Sequence, residues 1–156
     1  MNKINNNERD RRVTFPPDEL QKKCLRYLCW YSSIDDLTSN KSIDRIYKGL
    51  TKRIRRIVPN GTIKIYTKNK LNEDGEIEWD FSKDRIYCNQ WNNCSQIVAL
   101  LRHLRNAIAH GRLIKKNGKI EIIDKETNGC GRITAKGYFE SDTIKNVLET
   151  CIQSRV

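Results

Sequence analysis

Residues 97–111 read Ile97-Val98-Ala99-Leu100-Leu101-Arg102-His103-Leu104-Arg105-Asn106-Ala107-Ile108-Ala109-His110-Gly111, and the rest of the chain is arranged around them. At about 100° per residue, Leu101, Leu104 and Ile108 fall within about 40° of Ile97, which gives a helix one apolar face. Arg102, His103, Asn106 and His110 sit on the opposite side, with Arg105 at the boundary. A helix that needed only stability would carry Lys and Glu there. Arg, Asn and His are instead the side chains that bind phosphate and move protons. Both histidines of the protein lie in this stretch, and Gly111 suits the helix C-terminus.

Working outward, this helix is expected to begin near Gln90 to Asn93. After it, Leu113 to Lys116 and Lys119 to Asp124 flank Asn117-Gly118, a strong two-residue hairpin signal. Arg132 to Phe139 follows Asn128-Gly129 as a further strand. Ser141 then caps a last helix that buries Ile144, Val147, Leu148, Cys151 and Ile152. Upstream, Thr62–Thr67 and Glu76–Phe81 alternate about a turn at Asn72–Gly75 and predict a second hairpin. Arg85 to Asn89 is a connector without a clear period.

Two more helices precede these. Leu20, Cys24, Tyr27, Leu28, Tyr31 and Ile34 recur at helical spacing, entered through Phe15-Pro16-Pro17-Asp18 and running to about Leu37. Past a turn at Thr38–Lys41, Ser42 is a fair N-cap for a helix with Ile43, Ile46, Tyr47, Leu50, Ile54, Ile57 and Val58 on one face. Pro59-Asn60-Gly61 ends it. Its other face carries Lys48, Lys52, Arg53, Arg55 and Arg56 with no interleaved acids, more cations than solubility alone asks for. The polar, Asn- and Arg-rich residues 1–14 read as a disordered tail. The fold class predicted is therefore mainly α: one domain over 15–156, a helical bundle with β-hairpin insertions near 62–82 and 113–139.

The chain has 156 residues, long enough for one domain with a core of its own. Thirty basic against nineteen acidic residues leave a net charge of +11, which favours polyanionic partners, RNA foremost. No apolar run approaches the roughly 18–20 residues of a membrane span, and Met1–Asp10 lacks a signal-peptide centre. A soluble, cytoplasmic protein is expected. The six cysteines, at 24, 29, 88, 94, 130 and 151, contain no C-x-x-C pair and read as reduced, mostly packed thiols. No metal and no cofactor are expected.

The helix chemistry suits phosphodiester cleavage without a metal. Arginine offers a planar fork of donors to two phosphate oxygens and stays charged as negative charge builds. Histidine, titrating near 6.5, can take a proton from a ribose 2′-OH or give one to the leaving 5′-oxygen. Asparagine can orient the imidazole or hydrogen-bond the phosphate. Cations near a helix C-terminus also satisfy the helix dipole, so position alone does not make them catalytic. Arg105 and His110 are five residues apart, about 140° around the axis, and so diverge within one helix.

The string Leu104-Arg105-Asn106-Ala107-Ile108-Ala109-His110-Gly111 at the end of a long helix resembles the Arg-x4-6-His motif of the HEPN superfamily, in which a polar residue commonly follows the Arg. The resemblance covers residues from about 18 to 154. It implies a four- to five-helix bundle, a homodimer whose motif helices meet on the two-fold axis, and a metal-independent endoribonuclease of toxin or phage-defence type. In that setting Arg105 stabilises the scissile phosphate, His110 is general acid or base, and Asn106 positions them. Products carry 2′,3′-cyclic phosphate and 5′-OH ends. Arg102, His103, Arg53 and Arg56 are the expected RNA-binding residues. An alternative is a non-catalytic module of the same type that binds RNA or protein. An antitoxin or a nucleotidyltransferase-type protein is a further partner that the resemblance implies.

Overall fold

The computed structural model describes residues 18–33, 40–67, 70–72, 77–90, 94–126 and 131–154. The expected tail at 1–14, the Pro16-Pro17 lead-in, the helix end from Ile34 to Leu37 and the turn residues Asn128-Gly129 lie outside them. In chain order the elements are α1 (Glu19–Ser32), α2 (Asn40–Ile46), α3 (Leu50–Ile57), β1 (Ile63–Tyr66), a short 3-10 turn (Lys70–Asn72), β2 (Arg85–Asn89), α4 (Gln96–Ala109), β3 (Leu113–Lys116), β4 (Lys119–Lys125), β5 (Ile133–Glu140) and α5 (Ser141–Ile152).

The strands form one five-stranded sheet in the order β1-β2-β5-β4-β3. β1 and β2 are parallel, and every other neighbouring pair is antiparallel. This corrects the expected mainly-α bundle with hairpin insertions. The fold is mixed α/β, with α4 and α5 packed on one face of the sheet and α1 and α3 packed against those two helices. The stretches read as separate decorations are one layer, because β5 pairs with both β2 and β4 and joins them.

The inner face buries Ile63, Ile86, Cys88, Ala135, Phe139, Ile120 and Ile122 in the same core as Tyr27, Leu50, Ile54, Ile97, Leu101, Leu104, Ile144 and Leu148. Strand period two sends the alternate residues outward. There Tyr87, with Leu71 and Ile77, centres a second, smaller cluster joined by Tyr66, Phe81 and Ile133.

The expected hairpin between Thr62–Thr67 and Glu76–Phe81 does not form. β1 pairs instead with β2, the stretch that lacked a clear period, in the register Ile63↔Ile86 to Tyr66↔Asn89. The alternation of Ile77, Trp79 and Phe81 is real, but it serves the outer face. Trp79 and Phe81 lie 4.9 and 5.5 Å from the Tyr87 ring, and the Tyr87 hydroxyl accepts the Asp80 N–H at 2.9 Å.

The other local signals divide. Asn117 (φ 52°) and Gly118 (φ 79°) make the β3–β4 turn as expected, both at the positive φ that a two-residue turn of this kind requires. The long second helix is two: Gly49, at φ 74°, breaks it into α2 and α3. With no side chain at that cap, Asp44 accepts the Thr51 N–H at 3.1 Å and its hydroxyl at 2.6 Å. Because α2 is already helical at Asn40, Ser42 is not its cap. Ser141 is inside α5, and the cap is supplied from elsewhere: Asp84 accepts the Glu140 N–H at 2.7 Å and the Thr143 hydroxyl at 2.5 Å. α4 starts later than expected, with Ser95 as N-cap.

Closure of the sheet on β5 depends on one glycine. A Cβ on Gly137 would lie 2.8 Å from the Arg85 carbonyl oxygen and 2.9 Å from the Ile86 Cβ, in rigid neighbours on the paired strand. Gly137→Ala is expected to destabilise the protein by about 1–3 kcal/mol, as overpacking does. A denaturant midpoint equal to that of the unchanged protein would show that β2 and β5 yield there.

Candidate functional site

Most of the circumference of α4 is buried, because it lies between the sheet and the other helices. Ile97, Val98, Ala99, Leu100, Leu101, His103, Leu104 and Ala107 are all enclosed. The Tyr27 hydroxyl of α1 donates to the Leu101 carbonyl at 2.6 Å, which ties α1 to α4 from the core side. At its end, Gly111 adopts φ 67°, with Gly111 N–H bonded to Ile108 O at 3.1 Å and Arg112 N–H to Ala107 O at 2.7 Å. This paired closure is the Schellman arrangement, and the expected glycine fills its left-handed position.

His103 departs from the expectation of a wet, RNA-binding side chain. It is 3% exposed, and its Nδ1 lies 2.8 Å from Asp124 Oδ2 on the inner face of β4. An ionised carboxylate only accepts, so the proton of this bond is on Nδ1. The helical wheel assumed one covered side, but the sheet covers a second. The signal that locates this pair is Asp124 itself. It is in phase with Ile120 and Ile122 on an apolar strand face, where a carboxylate needs a buried partner.

Asp124 Oδ2 also accepts the Asn106 amide at 3.1 Å, and Asn106 Oδ1 accepts Arg105 Nη1 at 3.0 Å. The direction is forced, because a carboxylate has no donor to give and a guanidinium has no acceptor. A relay thus runs from core to surface: His103, Asp124, Asn106, Arg105. Burial pushes the Asp124 carboxyl up, but the bonds from His103 and Asn106, with the Thr134 hydroxyl nearby, outweigh it and leave its pKa below the ordinary value.

Arg105 and Asn106 open onto a groove between α1 and α4 of about 430 Å³. Arg102 and Ala109 complete the α4 side, and Leu28, Tyr31 and Ser32 form the α1 side. The Tyr31 phenol is pushed up by burial and pulled back by the charges of Arg102 and Arg105, so both guanidiniums bear on this ring. Arg102, Arg105 and Asn106 are therefore brought together, and Tyr31, read from sequence only as an apolar position, joins them.

The remaining candidates lie apart. His110 is exposed one residue beyond α4 and is not among the groove residues. Arg53 reaches Ser154 Oγ at 3.3 Å, at the end of α5, and Arg56 is exposed on α3; neither lines the groove. Cys24, Cys29, Cys88, Cys94 and Cys151 are free thiols, with burial holding Cys24 up at about 11. Among the described residues no group of three or more His, Cys, Asp or Glu side chains converges as a metal site. No described helix is long and apolar enough to cross a membrane.

Removing Asp124 tests the relay. Asp124→Ala strands the buried His103 donor and the half-buried Asn106 amide and is expected to cost about 1–3 kcal/mol, the range for leaving a buried donor unsatisfied. A lowered native pKa means that the carboxylate stabilises the fold above its unfolded value near 3.9, and that this contribution is lost as pH falls through the lower native value. Acid unfolding monitored in Asp124→Asn should lack that component. An unaltered acid limb would mean that the carboxylate is not paired in solution.

No family model matches the chain, and no curated protein or solved structure matches it either.

Proposed function

We propose that the protein is a metal-independent endoribonuclease whose phosphate-binding group is Arg105 and whose proton-transfer group is His110. The observation that carries this is the Arg102–Arg105–Asn106 cluster in an open groove, with Arg105 held by an amide that is itself anchored in the core. An anchored guanidinium loses little freedom when it meets a phosphate, and it keeps its charge as the transition state gains negative charge. The net charge of +11 draws RNA to the surface.

In the cleavage step the 2′-oxygen attacks phosphorus as the P–O5′ bond breaks. The 2′ proton passes to a base, and the 5′-oxygen takes a proton from an acid, leaving a 2′,3′-cyclic phosphate and a 5′-OH. Two titrating groups are needed. His103 is enclosed and bonded to Asp124, so each chain offers His110 as its exposed imidazole. Two copies offer two imidazoles, which supports a homodimeric site and removes the divergence of Arg105 and His110 along one helix. The second reading, a non-catalytic RNA-binding module, is favoured by the position of His110 outside the groove.

Incubation with RNA in EDTA should yield 2′,3′-cyclic phosphate and 5′-OH ends. His110→Ala should slow cleavage by at least about 100-fold, the lower range for loss of an acid–base group. Activity per chain should fall on dilution. RNA that stays intact, or cleavage indifferent to His110→Ala, would leave the binding module as the correct reading.

A further inference from the structure

The outer face of the sheet carries a second basic and aromatic surface, on the opposite side from the helical layer and its groove. Strand register sets Lys136 and Tyr138 of β5, Lys119 and Glu121 of β4, and Lys116 of β3 on this face. Phe81, from the segment between β1 and β2, meets Tyr138 edge-on with ring centres 4.7 Å apart. Phe81, Tyr138, the three lysines and Asn117 line an open concavity of about 520 Å³. Trp79 adjoins it, 39% exposed, with Lys136 Nζ 5.5 Å from its ring centre.

The two acids among the strand lysines of this surface, Glu121 and Glu140, are already engaged. Glu121, 8% exposed, accepts the Tyr138 hydroxyl and lies 3.3 Å from Lys116 Nζ. Its carboxyl is held below the ordinary value: burial opposes ionisation, but the Tyr138 and Lys116 bonds prevail. Glu140 pairs with Lys119 at 3.6 Å, its own side chain 61% exposed, a water-screened contact that a phosphate oxygen can replace. Three ammonium groups and no carboxylate line the concavity itself, and the Glu121 carboxylate beside it orients a ring.

We propose that this concavity binds single-stranded nucleic acid, with unpaired bases against Phe81 and Tyr138 and the backbone along Lys119 and Lys136. Lys136 and Tyr138 are two residues apart on one strand, about 6.7 Å, so cation and ring alternate within the reach of one nucleotide. Rings offer faces that accept any base, and flexible ammonium groups follow a backbone without reading sequence. A duplex keeps its base faces stacked inside and cannot use the rings. An acidic peptide could meet the lysines but would leave the aromatic faces without a planar partner.

The inference does not rest on cleavage, and its test avoids it. The full chain is titrated with a short labelled 2′-O-methyl oligouridylate, which cannot undergo 2′-attack, with the matching oligothymidylate, and with a duplex of equal length. Both single strands are expected to bind more tightly than the duplex, and a difference between them tells whether RNA or DNA is preferred. Lys119→Ala/Lys136→Ala should weaken single-strand binding by about tenfold or more and flatten the slope of log K against log salt by about 1.4, the loss of two phosphate contacts. Phe81→Leu should weaken it by about fivefold or more with the salt slope unchanged, which separates stacking from charge. The lysine effect should persist in Arg105→Ala. Equal duplex binding, or a lysine variant with unchanged affinity and slope, overturns the proposal whatever the cleavage assay gives.

Discussion

The Asp124 carboxylate is the point on which the site's geometry turns. It faces inward from β4, beneath α4, and accepts from His103 at 2.8 Å and Asn106 at 3.1 Å. These residues are three apart on the helix and so share one side of it. A buried carboxylate satisfied by hydrogen bonds adds little net stability over an apolar replacement, because desolvation offsets most of the attraction. Its visible effect is geometric. Apolar contacts between a helix and a sheet tolerate sliding and rotation, whereas two hydrogen bonds to one carboxylate do not. α4 is thereby fixed in rotation and in height above β4, and Arg105 inherits that order through Asn106.

The C-terminus of α4 adds a second constraint. Gly111 turns the chain through its left-handed conformation, and Arg112 is at once joined to the sheet, its carbonyl accepting the Ile123 N–H at 3.2 Å. His110 is therefore held at the junction between helix and sheet by its backbone, while its ring stays in solvent. Arg105 is ordered by a side-chain relay and His110 by a helix cap. That division explains how Arg105 and His110 can be well placed in space and still not share a groove within one chain.

What was legible in the sequence was local. The α4 face, the Gly111 end, the Asn117-Gly118 turn and the strand from about Arg132 are each determined by residues a few positions apart. The sheet is not local. β1 finds its parallel partner across the 67–84 segment, and β2 pairs with β5 across α4 and the β3–β4 hairpin, which lie between them in the chain. Periodicity shows that Ile77, Trp79 and Phe81 share a face, but not that the face lies on Tyr87 instead of a neighbouring strand. The same blindness misplaced His103. A wheel drawn for one covered side puts it in water, and the layer that encloses it was hidden in strands read as insertions. Asp124, an acid in phase with Ile120 and Ile122, was the trace of that layer.

Charge divides along the same line between field and fixture. The basic run on α3 looked in sequence like a continuous ligand face, yet Arg53 reaches Ser154, and Arg55 reaches Gln96 at 3.0 Å and the Val58 carbonyl at 3.3 Å. Those guanidiniums brace helix ends against one another. They still add to the attraction of a polyanion, but over a screening length of about 8 Å such attraction carries no orientation. Arg105 differs because its Nη1 is bonded to an amide that is itself bonded to the buried carboxylate, an amide whose two ends admit only one arrangement. A donor tied to a buried group keeps its position when the solvent around it changes, whereas a free surface cation does not. The number of cations sets the strength of the field, and the buried Asp124, through Asn106, sets which of the α4 guanidiniums is tied to the core.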